Sequence, residues 1–124
     1  MDAKTVISKK TPKYLRPVDK NEFCIVTSLR KTPYVLNKRK KFSIGSLTKN
    51  DIRLNMKTVS DVHATIKWVK THFVITDEKS TNGVYINGKR IKKPTKLNDG
   101  DKIKIARYVL NFKVKKVRKK KEKK

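Results

Sequence analysis

Along most of the chain, apolar and polar residues alternate with a period of two, as in β-strands that bury one face. In residues 63–70, Ala64, Ile66 and Trp68 fall on one face. No segment of ten or more residues carries the 3.6-residue period of an amphipathic helix. The pattern predicts strands at 22–29, 33–37, 42–45, 51–54, 63–69, 72–77, 84–87, 102–106 and 108–114.

Short turn signals separate these predicted strands. Asn82-Gly83, Asn87-Gly88 and Asp99-Gly100 favour backbone with positive φ, which tight turns need. Lys70-Thr71 lies between two alternating stretches and predicts a hairpin turn, although it lacks the favoured glycine. Strands of this length and spacing predict an all-β fold, either an antiparallel sandwich or a barrel.

The charge is uneven along the chain. The 124 residues include 35 Lys or Arg and 10 Asp or Glu, a formal net charge of +25. Residues 1–20 carry +4, residues 21–114 carry +14, and residues 115–124 carry +7. We expect an N-terminal arm at 1–20, one sandwich domain at 21–114, and a disordered basic tail at 115–124 that repels itself.

Composition narrows the class of protein further. The longest apolar run, residues 23–26, is too short for a bilayer, which needs about 20 residues. The chain start lacks the apolar stretch of a secretory signal. Cys24 has no second cysteine to pair with, which fits a reducing compartment. So positive a chain should attract nucleic acid, acidic protein segments or phosphorylated partners.

Signals of catalysis are absent from the sequence. There is no phosphate-cradling Gly-x-x-x-x-Gly-Lys loop and no His-Glu-x-x-His motif. One cysteine and two histidines cannot form a closed zinc site of the usual kind. Ser60, Asp61 and His63 lie too close together in sequence for the geometry of a catalytic triad. We therefore expect no enzyme activity, no metal and no cofactor.

A series of polar residues lies at the predicted strand ends. Ser60, Thr81 and Asn82 can donate to oxygen ligands, and Gly45 and Gly83 let the backbone approach closely. Such loops on a rigid sandwich suit the binding of an extended peptide or an anion. Local side-chain turns are the alternative interpretation. The series occupies residues 43–46, 50–54, 59–64, 80–88 and 97–103.

This ordered series resembles the forkhead-associated (FHA) domain family. The family pattern has Gly-Arg, then Ser-x-x-His about 15 residues on, then Asn-Gly, then Leu-x-x-Gly-Asp. The resemblance covers about residues 22–114 and is densest from 42 to 112. It implies a two-sheet β-sandwich of about eleven strands, whose loops at one end bind phosphothreonine peptides.

The resemblance also implies residue roles. Ser60 and Thr81 would donate their hydroxyls to the phosphate, and Asn82 would hold the backbone of the ligand peptide. His63 would be structural, bonding loop backbone and fixing the shape of the Ser60 loop. Gly45 and Gly83 would provide tight backbone geometry.

Two positions of the expected phosphate site depart from the family pattern. Ser46 stands where the family has an arginine, whose charge-assisted hydrogen bond contributes roughly 1.5–3 kcal/mol. Asp61 would repel a dianionic ligand. The nearby basic residues that could compensate are Lys49, Arg53 and Lys79.

These departures lead to three functional hypotheses. The first is a protein-interaction module of a nuclear, DNA-damage or chromosome-associated scaffold, dimerising or binding protein partners with weak or absent phosphothreonine recognition. Tyr34 and Tyr108 are candidates for a dimer interface, with a place in the core as the alternative. The second is a functional phosphothreonine-peptide reader. The third is non-specific nucleic-acid binding, through the tail and the cluster Lys38, Arg39, Lys40 and Lys41.

Overall fold

The structure, a computed structural model, describes residues 21–116. The predicted arm at 1–20 and residues 117–124 lie outside the described residues. No helix within 21–116 has the length and apolar character needed to cross a bilayer. The strands are β1 (Asn21–Val26), β2 (Tyr34–Val35), β3 (Phe42–Gly45), β4 (Ile52–Arg53), β5 (Ala64–Val69), β6 (His72–Asp77), β7 (Tyr85–Ile86), β8 (Lys89–Arg90), β9 (Thr95–Lys96), β10 (Lys102–Ile105) and β11 (Tyr108–Lys116).

The strands form two sheets, which confirms the predicted two-sheet sandwich. The six-stranded sheet has the order β2-β1-β11-β10-β7-β8, and the five-stranded sheet has the order β4-β3-β5-β6-β9. One pair departs from the predicted antiparallel arrangement: β3 and β4 run parallel, with Ile44 beside Ile52. The intervening loop turns back at Leu47, whose carbonyl accepts the Asn50 N–H at 3.1 Å, so β4 starts again alongside β3.

Two short strands were not predicted. β8 (Lys89–Arg90) and β9 (Thr95–Lys96) have two residues each and contain no apolar side chain. A strand this short and polar shows no alternation of apolar and polar residues. These strands bring the total to 11, in agreement with the number implied by the resemblance.

The first and last strands differ from their predicted bounds. β1 ends at Val26, short of the predicted residue 29. β11 continues to Lys116, two residues past the predicted end of the domain, and places Lys115 opposite Glu22 and Lys116 opposite Asn21. The basic segment predicted as a tail therefore begins as part of the sheet, because backbone pairing with β1 continues despite the lack of apolar side chains.

A hydrophobic core fills the space between the sheets. Ile44, Ile66 and Ile75 from one sheet and Ile103 and Leu110 from the other are completely buried. Burial of each such side chain contributes about 1.5–3 kcal/mol. Because a shift of one residue would turn these side chains outward, the core fixes the strand register and hence the loops that meet at each end.

The register assigns loops to the two ends of the sandwich. β3 ends at Gly45, β5 begins at Ala64 and β6 ends at Asp77, and Ala64 pairs with both Ile44 and Asp77. The loops beyond these points therefore share one end, here called the loop end. Trp68 lies four residues along β5, about 13 Å away at 3.3 Å per residue.

The other end, here called the aromatic end, contains four rings. The side chains of Phe23, Trp68, Phe73 and Phe112 have neighbouring centroids 4.9–6.2 Å apart.

Tyr34 and Tyr108, the candidate interface residues, are half-buried and pack against the core. The Tyr34 ring lies edge-on to Phe42 at 6.1 Å, and the Arg30 guanidinium lies 3.7 Å from the Tyr34 ring centroid. Both tyrosines therefore contribute to packing within the sandwich, as the alternative interpretation expected.

Candidate functional site

A buried histidine connects two loops at the loop end. The His63 side chain is completely buried. Its Nδ1 accepts the backbone N–H of Ser60 at 3.0 Å, so the ring proton is on Nε2, which donates to the Gly83 carbonyl at 2.8 Å. The backbone carbonyl of His63 also accepts the N–H of Glu78 at 3.0 Å. His63 thereby ties the loop before β5 to the loop after β6.

Those two loops bring the predicted phosphate-binding hydroxyls together. The backbone N–H of Thr81 donates to Ser60 Oγ at 3.2 Å. Ser60 therefore uses its oxygen as an acceptor and keeps its hydroxyl proton for another partner. Thr81 is exposed, and its hydroxyl makes no hydrogen bond within residues 21–116. Two hydroxyl donors are thus available at adjacent points of the surface.

Asn82 lies beside these hydroxyls. Its Nδ2 donates to the carbonyl of Thr58 at 2.9 Å, which attaches the loop after β6 to the segment before Ser60. The side chain is exposed, and this is its one hydrogen bond in the described part of the chain. With the amide oriented in this way, Oδ1 is left to accept from a ligand N–H.

The segment after β3 makes a close crossing with the Ser60 loop. A Cβ at Gly45 would lie 2.1 Å from the carbonyl oxygen of Asp61, so only glycine fits there. Asn50, which is buried, donates through Nδ2 to the carbonyls of Leu47 and Asp61 at 2.9 and 2.8 Å. Sequence reasoning included Asn50 in the polar series but assigned it no role, because a polar residue between two charged ones resembles a solvated loop residue.

The loop after β6 is held by its own side chains. Asp77 Oδ1 accepts the Ser80 N–H at 2.7 Å, and Ser80 Oγ accepts the Gly83 N–H at 2.9 Å. Gly83 has a φ of +89°, which side chains strongly disfavour. Thr65 donates to the Glu78 carboxylate at 2.5 Å. Sequence reasoning included Ser80 in the polar series but assigned it no role, because that role depends on a turn that only the structure reveals.

The charged residues around Ser46 and Asp61, the two positions that differ from the family pattern, make different contacts. Ser46 is half-buried, and its backbone N–H donates to the Ser60 carbonyl at 3.0 Å. Its own carbonyl accepts from Arg53 Nε at 2.8 Å, so the Arg53 guanidinium lies beside Ser46. Lys49 and Lys79 are exposed and make no such contact among the described residues. The Asp61 side chain is also exposed, while its backbone carbonyl accepts a hydrogen bond from Asn50 Nδ2.

The basic cluster at residues 38–41 lies at the aromatic end. Lys38 Nζ is 4.3 Å from the Trp68 ring centroid and 5.4 Å from that of Phe23. Arg39, Lys40 and Lys41 are exposed next to it, immediately before β3. The structure therefore does not bring these four residues together with Ser60.

Cys24 is buried in β1, next to β2 and β11. Burial, with a smaller contribution from the nearby Glu22 carboxylate, raises the pKa of the thiol. A raised pKa reduces the thiolate fraction and hence the nucleophilicity. Within residues 21–116, no group of three or more His, Cys, Asp and Glu side chains is arranged to hold a metal ion.

The fold and site define a β-sandwich protein whose loops present hydroxyl and amide groups at one end. The model of the FHA domain family matches residues 42–106, just over half of the chain. The chain belongs to the FHA domain family.

Curated relatives include the transcriptional regulatory protein EmbR of Mycobacterium tuberculosis and of Mycobacterium bovis. Each is 42% identical over 71 residues, which is 57% of this chain and 18% of the relative. The chain thus spans less than a fifth of the length of these relatives.

Solved structures support the same fold. Mycobacterium tuberculosis EmbR in complex with a low-affinity phosphopeptide superposes with a TM-score of 0.70 at 32% identity, covering 80% of this chain and 26% of that one. A structure from work on phosphothreonine-dependent FHA domain interactions has a TM-score of 0.66 at 24% identity, covering 74% of this chain and 95% of that one. At that identity the second likeness establishes the fold alone.

These relatives do not support the predicted nuclear, DNA-damage-associated scaffold. EmbR is a transcriptional regulatory protein of mycobacteria, and its solved structure holds a phosphopeptide. The findings favour the second hypothesis, a phosphopeptide reader, over the first.

Proposed function

We propose that this FHA domain binds phosphothreonine peptides at its loop end. The observation that carries the proposal is that Ser60, Thr81 and Asn82 lie together at the surface. Because Ser60 Oγ accepts the Thr81 N–H, the Ser60 hydroxyl proton remains available to a ligand. The likeness to EmbR bound to a phosphopeptide, at 32% identity, supports the same ligand class.

Each of the three side chains has a role that matches its hydrogen-bonding capacity. The hydroxyls of Ser60 and Thr81 donate to phosphate oxygens, which are strong acceptors because they are charged. Asn82 accepts a backbone N–H of the peptide through Oδ1, since its Nδ2 is bound to the Thr58 carbonyl. His63 does not touch the ligand and holds the two loops at the correct spacing.

Arg53 supplies the positive charge that Ser46 lacks. Its Nε is fixed to the Ser46 carbonyl at 2.8 Å, while Nη2 makes only a long contact of 3.5 Å with Asn55 Oδ1. The guanidinium therefore has donors left for a phosphate oxygen. Because the side chain is already held in place, little conformational entropy is lost when an anion binds.

Titration with phosphothreonine peptides tests the proposed function. We expect members of a degenerate library to bind the full chain more tightly than about 1 mM, and the same peptides to lose binding when dephosphorylated. Ser60→Ala should weaken binding at least about tenfold. Ser28→Ala is the matched control, because Ser28 is exposed and lies outside the site. The proposal is wrong if no library member binds below about 1 mM.

Arg53→Gln tests the source of the charge. The substitution keeps a hydrogen-bonding side chain and removes the cation, so we expect about a tenfold loss of affinity for the phosphopeptide. Arg39→Gln removes the same charge at the aromatic end and should have little effect. Equal losses in the two variants would show that only the overall positive field matters.

A further inference from the structure

The aromatic end brings together basic residues that lie far apart in the sequence. The cluster at residues 38–41 is at this end, beside the Trp68 ring. Lys70 follows Trp68 in the turn between β5 and β6. The last two residues of β11, Lys115 and Lys116, lie beside the start of β1. Cations from three separate segments of the chain therefore meet at the end of the sandwich opposite the proposed phosphate site.

Phe23 connects these segments. Its carbonyl accepts the Leu36 N–H at 2.8 Å, and its ring centroid lies 5.4 Å from Lys38 Nζ. Its backbone pairs with Val114. Because alternate residues of a strand share a face, Lys116 follows Val114 on the same face of β11, just beyond the Phe23 ring. The basic segments therefore surround aromatic side chains.

The basic cluster is presented by an ordered turn. Asn37 Oδ1 accepts the Arg39 N–H at 2.7 Å, and the Asn37 carbonyl accepts the Lys40 N–H at 3.2 Å. Leu36 on one side of the turn is buried, and Phe42 on the other side packs against the core. The backbone of the turn is therefore held in place before a ligand binds, which reduces the entropy lost on binding.

Negative charge at this end is sparse, and part of it is already engaged. Glu22 is paired across the sheet with a lysine of β11. The carboxylates of Asp51 and Asp99 each accept a backbone N–H, at 2.7 and 2.8 Å. Within residues 21–116, three cations of the turn form no ion pair with a carboxylate: Arg39, Lys40 and Lys41. Like charges gathered in this way create a positive potential that attracts polyanions.

Two rings at this end reach the surface. Phe23 and Trp68 are half-buried, whereas Phe73 and Phe112 are buried. Lys38 Nζ lies 4.3 Å from the Trp68 ring centroid, and Lys38 is itself exposed, so that face of the indole is directed outward. A nucleobase can stack on the same face that this cation–π contact now covers. Cations beside an accessible ring are the combination with which proteins bind single strands.

We propose that the aromatic end binds single-stranded nucleic acid. A base stacks on Trp68 in place of the Lys38 ammonium, which moves to a phosphate, while the other cations of the turn and Lys116 hold neighbouring phosphates. A single strand is favoured over a duplex, because the bases of a duplex already stack on one another. The inference does not depend on peptide binding. Since the two sites lie at opposite ends, one domain can hold a strand and a phosphopeptide together.

The test uses Trp68 as its reporter, because it is the one tryptophan of the chain. A labelled oligothymidylate of about 12 nucleotides is titrated with the full chain, and both its anisotropy and the Trp68 emission are recorded. We expect binding that weakens as salt rises, because counterions are released. Trp68 emission should be quenched along the same binding curve.

Three other polyanions separate stacking from charge. An abasic strand of the same length keeps the phosphates and should bind about tenfold more weakly without quenching Trp68. Heparin, which has no bases, should compete for the chain and leave Trp68 emission unchanged. A duplex of about the same length should quench Trp68 much less than the single strand. Equal quenching by the duplex overturns the choice of a single strand.

Two matched variants locate the site. The first removes three cations of the turn: Arg39→Gln/Lys40→Gln/Lys41→Gln. The control removes three exposed cations nearer the loop end: Lys57→Gln/Lys92→Gln/Arg107→Gln. We expect the first variant to lose about tenfold or more in affinity for the strand and the control to lose at most about threefold, since its cations lie away from the strand.

Several outcomes overturn the proposal. An absence of binding does so directly. Binding without quenching of Trp68, equal affinity for the abasic strand, or equal losses in the two variants would each show that net charge alone attracts the strand. None of these outcomes concerns the loop end, so each leaves the proposed phosphothreonine binding intact.

Discussion

The two ends of this sandwich are built from different interactions. At the aromatic end, four rings pack within 4.9–6.2 Å of their neighbours, and Lys38 lies over the Trp68 ring. At the loop end, hydrogen bonds between backbone atoms and the side chains of His63 and Asn50 hold three loops together. Stability at the aromatic end depends on how well the rings fill space, whereas the conformation of the loops at the loop end depends on individual hydrogen bonds. Binding properties can therefore change at the loop end by exchange of one side chain.

The largest expected effect is at the aromatic end. Phe73→Ala removes a ring that contacts Phe23, Trp68 and Phe112, and it should lower the free energy of unfolding by about 3–5 kcal/mol. Guanidinium unfolding followed by Trp68 fluorescence measures this loss. Below the transition, phosphopeptide affinity should stay within about twofold, because the ring does not touch the loops. A large loss of affinity in the folded variant would show that the ends are coupled.

The next largest effect is expected for His63 at the loop end, in contrast to His72 at the aromatic end. His63→Ala leaves the Ser60 N–H and the Gly83 carbonyl without partners, and it should lower the free energy of unfolding by about 2–4 kcal/mol. Phosphopeptide binding should fall below detection, because the two loops are no longer joined. His72→Ala, in a half-buried residue at the other end, is the control and should retain binding. Retained binding in His63→Ala would show that His63 is not needed to position the two loops for binding.

A smaller effect is a gain at the loop end. Ser46→Arg restores the arginine of the family pattern and should strengthen phosphopeptide binding by about 1.5–3 kcal/mol, or about ten- to a hundredfold. Leu47→Arg adds the same charge at the next, exposed residue and controls for net charge. Calorimetric titration of both variants gives the comparison. Unchanged affinity in Ser46→Arg would show that a second cation beside Arg53 adds nothing to phosphopeptide binding.

The smallest effect concerns the thiol in β1. Burial raises the pKa of Cys24, so less thiolate is present in the folded chain than in a free peptide at the same pH. Reaction with a disulfide reagent at pH 8 should therefore be slow, should accelerate as pH rises, and should become complete on unfolding in guanidinium. A rate in the folded protein equal to that of a model thiol would contradict the burial of Cys24.

The sequence predicted the sandwich because its strands are long enough to alternate. Predicted strands 42–45 and 72–77 coincide with β3 and β6. The hairpin at Lys70-Thr71 forms without glycine, because Lys70 itself adopts a φ of +57° and the Thr71 N–H donates to the Val69 carbonyl at 2.7 Å. The polar strands β8 and β9, and the parallel pairing of β3 with β4, depend on loop contacts that have no period in the sequence.

The candidate site was predictable in part. The hydroxyl and amide residues stand out because Ser, Thr and Asn collect at strand ends, and the structure does bring Ser60, Thr81 and Asn82 together. The contact between Arg53 and the Ser46 carbonyl was not predictable, because it joins a residue of β4 to the residue that follows β3 through a side-chain conformation. For the same reason, the sequence did not distinguish Arg53 from Lys49 and Lys79.

The pairing of β1 with β11 determines where this domain can be linked to a fusion partner or a surface. β11 starts from a hairpin at Ala106, which lines a pocket with Asn82, and runs past Phe112 to Lys116, which lies opposite Asn21. Asn21 and Lys116 thus lie side by side, remote from the loop end. A fluorescent fusion, an affinity handle or a biosensor surface can be linked at either residue without obstructing the loop end.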